Sequence, residues 1–189
     1  MATTSVDELA AEFDEQAIVE AAREGDHGAL GKLYEHFFPR VYRYAHARLG
    51  NSEDAEDVTE EIFLRVIDNI DGFAFRGLPF GAWVFRIAHN EVISHVRRQK
   101  TRSATAPLHE SIPDPSRDHA TELELQFDIA MVREATAKLP EAQRQVIELR
   151  FVAGLSVAET AQALGKSENN VKVLQHKGIA RLQTLVRQP

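Results

Sequence analysis

The chain has 189 residues, 22 of them Lys or Arg and 29 Asp or Glu, with a formal net charge of −7. That length holds one or two domains of about 100–150 residues each, no stretch reaches the roughly 20 apolar residues that span a bilayer, and the acidic start MATTSVDELAAEFDEQ lacks the basic and apolar parts of a secretory signal. The absence of cysteine removes disulfides, thiol nucleophiles and Cys-containing zinc sites and accords with a cytoplasmic location, while the net negative charge argues against non-specific DNA binding, which rests on neutralising phosphates.

Along the chain, residues 1–13 read as a disordered tail. Asp14 to Glu24 predicts a short helix, broken by Gly25-Asp26. Ala29 to Leu49 predicts a second, with Leu30, Leu33, Tyr34, Phe37, Val41, Tyr44, Ala45 and Leu49 at helical spacing and a kink or early break at Pro39. After Gly50-Asn51, Ser52 is the expected N-cap of a third helix reaching about Ile70, with Glu53 and Asp54 favouring its start. Asp71 to Pro79 is a loop by its glycines and proline, and a fourth helix follows from about Phe80 to Arg98. Residues 14–100 thus form a first domain.

Residues 101–121 read as a linker, because Pro107, Pro113 and Pro115 fall among small and acidic residues. About 20 residues reach up to roughly 70 Å when extended. Residues 122–189 form a second domain of four helices, over about 123–138, 140–152, 156–164 and 167–186. The fold class is all-α, with two small helical domains on a flexible linker.

The sharpest local pattern is Gly154-Leu-Ser-Val-Ala-Glu-Thr-Ala-Gln-Ala-Leu-Gly-Lys-Ser167. Ser156 and Glu159 match a capping box, Val157, Ala161 and Leu164 make a buried stripe, and Gly165 supplies a left-handed turn. Ser167 can cap the next helix, which directs Val171, Leu174 and Leu182 inward. This is a helix-turn-helix, whose second helix enters a major groove with polar residues near its N-terminus. Ser167, Glu168, Asn169, Asn170 and Lys172 stand there, followed by the basic group His176, Lys177 and Arg181.

The first domain sorts its charges. Six acids lie between Glu53 and Glu61, off the core stripe of Ala55, Val58, Ile62, Val66 and Ile70. A run of this kind is most often a solvated face; its functional reading is a docking surface for a basic partner helix, formed by Asp54, Asp57, Glu60 and Glu61. The fourth helix is the reverse, with five Lys/Arg and one acid between Arg86 and Arg102. Trp83, Arg86, Asn90, Ser94 and Arg97 share one face, where an aromatic, a cation and an amide can stack on a base, hold phosphate and bond a base edge. The bland reading makes Trp83 core and the basic residues a favourable helix end. The preceding loop adds Phe73, Phe75 and Arg76. The histidines show no metal spacing, and no P-loop, Gly-x-Ser-x-Gly or His-Glu-x-x-His pattern occurs, so neither an enzyme, a metal, a cofactor nor a small-molecule substrate is expected.

From about Ala17 to Leu185 the order of these parts resembles the extracytoplasmic-function (ECF) group of bacterial sigma factors. Asp54-Ala-Glu-Asp-Val-Thr-Glu-Glu-Ile-Phe-Leu-Arg65 is similar to the stretch with which that family grips the clamp of core RNA polymerase, which implies contacts from Asp54, Asp57, Glu60, Glu61 and Phe63. Phe75-Arg-Gly and Trp83-Val-Phe-Arg-Ile-Ala-His-Asn90 are similar to its promoter −10 loop and helix, implying Phe75, Arg76, Trp83, Arg86, Asn90, Arg97 and Arg98 as DNA contacts. Leu139-Pro-Glu-Ala-Gln-Arg-Gln-Val-Ile-Glu-Leu-Arg150 and the helix-turn-helix are similar to its −35-reading domain, implying Ser167, Glu168, Asn169, Asn170, Lys172, His176, Lys177 and Arg181. Core polymerase, promoter DNA and an anti-sigma factor are the implied partners. A stand-alone helix-turn-helix regulator is the alternative. The stretch after Val171-Lys172 is less basic than the family's usual text, and Gly178 lies mid-helix, where it costs about 1 kcal/mol relative to Ala.

Overall fold

The computed structural model describes residues 13–75, 77–103 and 131–187. Every regular element among them is helical. Helix α1 (Glu15–Arg23) is capped by Asp14, whose carboxylate accepts the Ala17 N–H at 3.0 Å. Helix α2 (His27–Leu49) is capped by Asp26 and closed by Gly50, which is left-handed at φ 92°. The expected break at Pro39 does not occur, and α2 runs through it. Phe37, Val41 and Tyr44 are buried on either side, and this burial offsets the bond that proline removes.

Helix α3 (Ser52–Asn69) is capped by Asn51 and not by Ser52: Asn51 is extended and its side chain accepts the Asp54 N–H at 2.8 Å. A 3-10 turn (Ile70–Gly72) follows. Helix α4 (Phe80–Ser103) runs five residues past the expected end at Arg98 and takes in the first three residues of the expected linker. The rest of that linker, residues 1–12 of the expected tail, and Arg76 lie outside the described residues.

Beyond it, α5 occupies 131–137 of the expected 123–138. The element expected over 140–152 divides into α6 (Glu141–Ile147) and a π-helical turn (Glu148–Val152). Helices α7 (Val157–Leu164) and α8 (Glu168–Arg187) are the last of the described elements.

Helices α1 to α4 enclose a core that includes Val19, Phe37, Val41, Tyr44, Ile62, Phe80, Phe85 and Val92, each 1% exposed or less. Val146, Ala161 and Val171 form a second, smaller cluster between α6, α7 and α8. Gly178 has a reason the sequence did not show. It is buried, and a Cβ there would lie 2.9 Å from Ile147 Cγ1, so the missing side chain lets α8 cross closely over α6.

The two halves form one body. Leu149, Ala153, Leu155 and Ala163 from the C-terminal half belong to the same buried cluster as the core of the first half. Arg40 donates to the Ala153 carbonyl at 3.0 Å, its guanidinium 5.3 Å from the Phe85 ring centre. Arg48 pairs with Glu141 and, at 3.2 Å, with Glu148. Arg144 pairs with the other Glu148 oxygen at 2.6 Å and reaches the Arg48 carbonyl at 3.5 Å. The side chains of Arg48 and Glu148 are 4% and 2% exposed. Burial pushes the Glu148 carboxyl up despite both guanidiniums; burial also acts to raise Glu141, but Arg48 beside it brings the net value down. Tyr44 and His89 meet next to this cluster, hydroxyl to Nδ1 at 2.9 Å.

Two predictions follow from the packing. Gly178→Ala gains helix propensity but crowds Ile147, so thermal denaturation should show a loss of about 1–2 kcal/mol; a more stable variant would contradict the close crossing. Burial, then the Arg48 charge, lowers His89 from 6.5 to about 4. Its contribution to stability is therefore complete above pH 6.5 and is lost as pH falls through the window to about 4, on the order of 3 kcal/mol in all. Glu148, with its raised value, works in the opposite sense, so the comparison is between wild type and His89→Gln. Their stability curves should converge on acidification over that window, and parallel curves would contradict a neutral, half-buried His89.

Candidate nucleic-acid interface

Helix α4 is built from two unlike faces. Phe80, Val84, Phe85, Ala88 and Val92 are all 0% exposed and fix its rotation. On the opposite side Arg86, Asn90, Ser94 and Arg97 are exposed. Trp83 lies between, half-buried, with its ring 5.2 Å from Phe73 and 5.3 Å from Phe80. Phe75 is half-buried edge-on to Phe73 at 4.8 Å. Both readings of Trp83 thus hold in part: one flank packs on the core and the other borders the exposed stripe. Arg86 and Arg97 make no ion pair among the described residues, so their charge stays available to phosphate.

The acidic face of α3 adjoins the basic flank of α4, and some expected contacts are spent between them. Arg98 pairs with Glu61 at 3.6 Å, both about half exposed. A surface pair of this kind contributes about 0–1 kcal/mol and yields readily to a partner. Arg65 pairs with Glu91, the one acid on α4 noted in the sequence, at 3.0 Å. Asp54 is more firmly held: it accepts from Asn51 and Gln99, each at 2.6 Å, and lies 3.3 Å from His95 Nε2. Asp57 and Glu60 are exposed and pair with nothing among the described residues. Phe63, expected on the docking face, is turned inward. It is 5% exposed, with its ring 4.8 Å from Tyr34 and 6.1 Å from Phe38. The exposed apolar residues of α3 are its neighbours Leu64 (62%) and Ile67 (46%), which the core-stripe pattern passed over.

The helix-turn-helix has the predicted local chemistry. Ser156 Oγ accepts the Glu159 N–H at 3.1 Å and Glu159 accepts the Ser156 N–H at 2.7 Å. Gly165 is left-handed at φ 61°, and Ser167 Oγ accepts the Asn170 N–H at 3.3 Å. Val171 is fully buried, while Leu174 and Leu182 are half-buried. Ser167, Glu168, Asn169, Asn170, Lys172, His176, Lys177 and Arg181 are all exposed. Glu168 and Lys172 stand 3.9 Å apart as an exposed pair, which softens the positive potential at the start of α8. Arg150 braces α8 from below by donating to Gln175 at 2.8 Å and to the Leu155 carbonyl.

Sequence reasoning missed the residues that join the halves. Gln162, on α7, donates to the Gly77 carbonyl in the loop before α4 at 3.0 Å, and Arg48 and Glu148 carried no motif. An arginine in a last helical turn and a glutamate in an amphipathic helix read as ordinary surface residues.

Comparison with known proteins agrees with this arrangement. Sigma-70 region 2 matches residues 33–102 and Sigma-70 region 4 matches residues 129–182. The chain is 36% identical over 171 residues to ECF RNA polymerase sigma factor BldN of Streptomyces coelicolor, covering 89% of this chain and 64% of that one. It is 34% identical to ECF RNA polymerase sigma factor ShbA of Streptomyces griseus, covering 91% and 95% of the two chains. Among solved structures it is similar to CnrH in complex with the cytosolic domain of CnrY, with a TM-score of 0.69 and 26% identity over 91% of this chain and 96% of that one. Two matched regions in this order leave no room for a stand-alone helix-turn-helix regulator, and the chain belongs to the ECF RNA polymerase sigma factors.

Proposed function

We propose that this chain is a promoter-reading subunit of RNA polymerase, working in the cytoplasm and reading the −10 element with α4 and the −35 element with α8. The observation that carries the −10 assignment is the exposed stripe Arg86, Asn90, Ser94 and Arg97 beside half-buried Trp83, on a helix whose inner face cannot turn. An opened strand laid along it meets cations for phosphate, an amide for a base edge and aromatic flanks for stacking. Turning a base out of the duplex costs a few kcal/mol, and stacking returns about 1–3 kcal/mol. Polymerase contacts supply the remainder, which suits a chain of net charge −7 that holds DNA poorly by itself. Asp57 and Glu60, with Leu64 and Ile67 beside them, form the polymerase-facing side of α3.

The joined halves set a condition on this reading. A compact chain of this length is about 40 Å across. Elements whose labels differ by about 25 base pairs lie roughly 85 Å apart at about 3.4 Å per step. Both cannot be read while α7 rests on α4, so the halves separate on the promoter. The chain between Ser103 and residue 131 permits this, reaching roughly 95 Å if extended. An anti-sigma factor that holds the closed arrangement belongs to the same reading; similar CnrH was solved with a bound partner of its own.

In promoter-library selection with core polymerase, Asn90→Ala should flatten base preference within the −10 element while core affinity stays within twofold of wild type. Unchanged preference would remove Asn90 from base reading. Charge reversal at Asp57 and Glu60 together should weaken core binding by about tenfold or more at low salt and progressively less at high salt, as screening predicts. Core affinity that ignores both substitutions would remove the docking role from this face.

A further inference from the structure

Helix α1 lies before the first matched region, which begins at residue 33, and nothing in the promoter-reading role calls for it. Its two ends nevertheless grip the two ends of the segment that leads into α4. At its N-terminus, Glu15 accepts the Phe80 N–H, the first amide of α4, at 2.8 Å. At its C-terminus, Arg23 donates to the Asp71 carbonyl at 3.4 Å. Glu15 and Gln16 also form one wall of a cleft whose other wall is Phe75, Gly77, Leu78 and Pro79. The remaining side-chain tether on this segment among the described residues comes from the other half of the chain, Gln162 to Gly77.

We infer that α1 is a splint for the −10 loop and that Glu15 is a positioning residue for promoter reading. Separation of the halves on the promoter removes Gln162, so α1 then supplies the side-chain hydrogen bonds left on the loop, beside the burial of Phe73 against Phe80 and Trp83. Glu15 also fills the start of α4 with a carboxylate. A free helix N-terminus attracts phosphate; with that place taken, the strand is directed to Arg86 and Arg97 on the flank. The cap of α1 is Asp14 and does not involve Glu15.

This inference rests on the promoter-reading role, and one experiment separates the two. Full-length Glu15→Ala and Glu15→Gln are compared with wild type and Asn90→Ala, each with core polymerase, on duplex and pre-opened promoters and in −10 library selection. Glu15→Ala should lose about tenfold on duplex template and under about twofold on pre-opened template, with a flattened −10 preference and unchanged core affinity, since one charge-assisted hydrogen bond is removed. Glu15→Gln retains an acceptor and should keep the wild-type preference. Wild-type preference in Glu15→Ala, or equal loss on both templates with weakened core binding, overturns the positioning role. If Asn90→Ala still alters preference in that case, the promoter-reading role stands; if neither variant alters it, both fall.

Discussion

Glu148 carries a carboxylate into an almost dry interface, where two guanidiniums hold it, one from each half of the chain. This cluster fixes how the two halves meet, beside the shared burial of Leu149, Ala153, Leu155 and Ala163 in the core of the first half. Removing Arg48 or Arg144 would leave the buried Glu148 carboxylate with one guanidinium in place of two, at a cost below the roughly 3–5 kcal/mol of a wholly uncompensated buried charge. Opening the interface as a whole is different, because all the charges return to water together and recover most of their hydration. Against well-packed apolar residues a buried ion pair adds little net stability. On the proposed reading, in which the halves separate on the promoter, such a joint resists local damage yet can part as a unit.

Helix α4 is where the two requirements meet. Its inner face is core for the first half, its outer stripe is exposed, and α7 rests on its N-terminal region, with Gly81 lying against both Phe37 and Glu159. A larger residue at 81 would crowd the Phe37 ring from 3.2 Å. The rotation of α4 is thus set by packing from two sides, so the direction of Arg86 and Asn90 is inherited from Phe80, Phe85 and Val92 and owes nothing to DNA. The stripe is preformed, which on the proposed reading lowers the ordering needed when a strand binds.

Much of this was legible from periodicity and capping chemistry. The all-α class, the order of the helices, the Ser156 capping box and the Gly165 turn all follow from local rules, and the structure has them. The errors fall where tertiary packing overrides local preference. Pro39 bends to the burial of its neighbours, Asn51 outcompetes Ser52 as a cap, and Gly178 answers to Ile147 across the helix pair. Phe63 sits among acids in the sequence but turns inward between Tyr34 and Phe38. The joined halves were invisible for another reason. Arg48 and Glu148 are 100 residues apart, and no local pattern distinguishes a buried ion pair from two surface charges. The exposed stripe on α4 was legible because a helix face repeats every 3.6 residues; the splinting of its loop by α1 was not, because it joins residues 65 apart.

The absence of native cysteine allows a direct test of the closed-to-open account. Donor and acceptor dyes at Lys32→Cys on α2 and Gln183→Cys on α8 report the distance between the halves. The account predicts a separation within the roughly 40 Å breadth of the compact chain when it is alone, rising beyond about 60 Å in the complex with core polymerase and promoter DNA. A separation that stays at its starting value in a transcribing complex would contradict it.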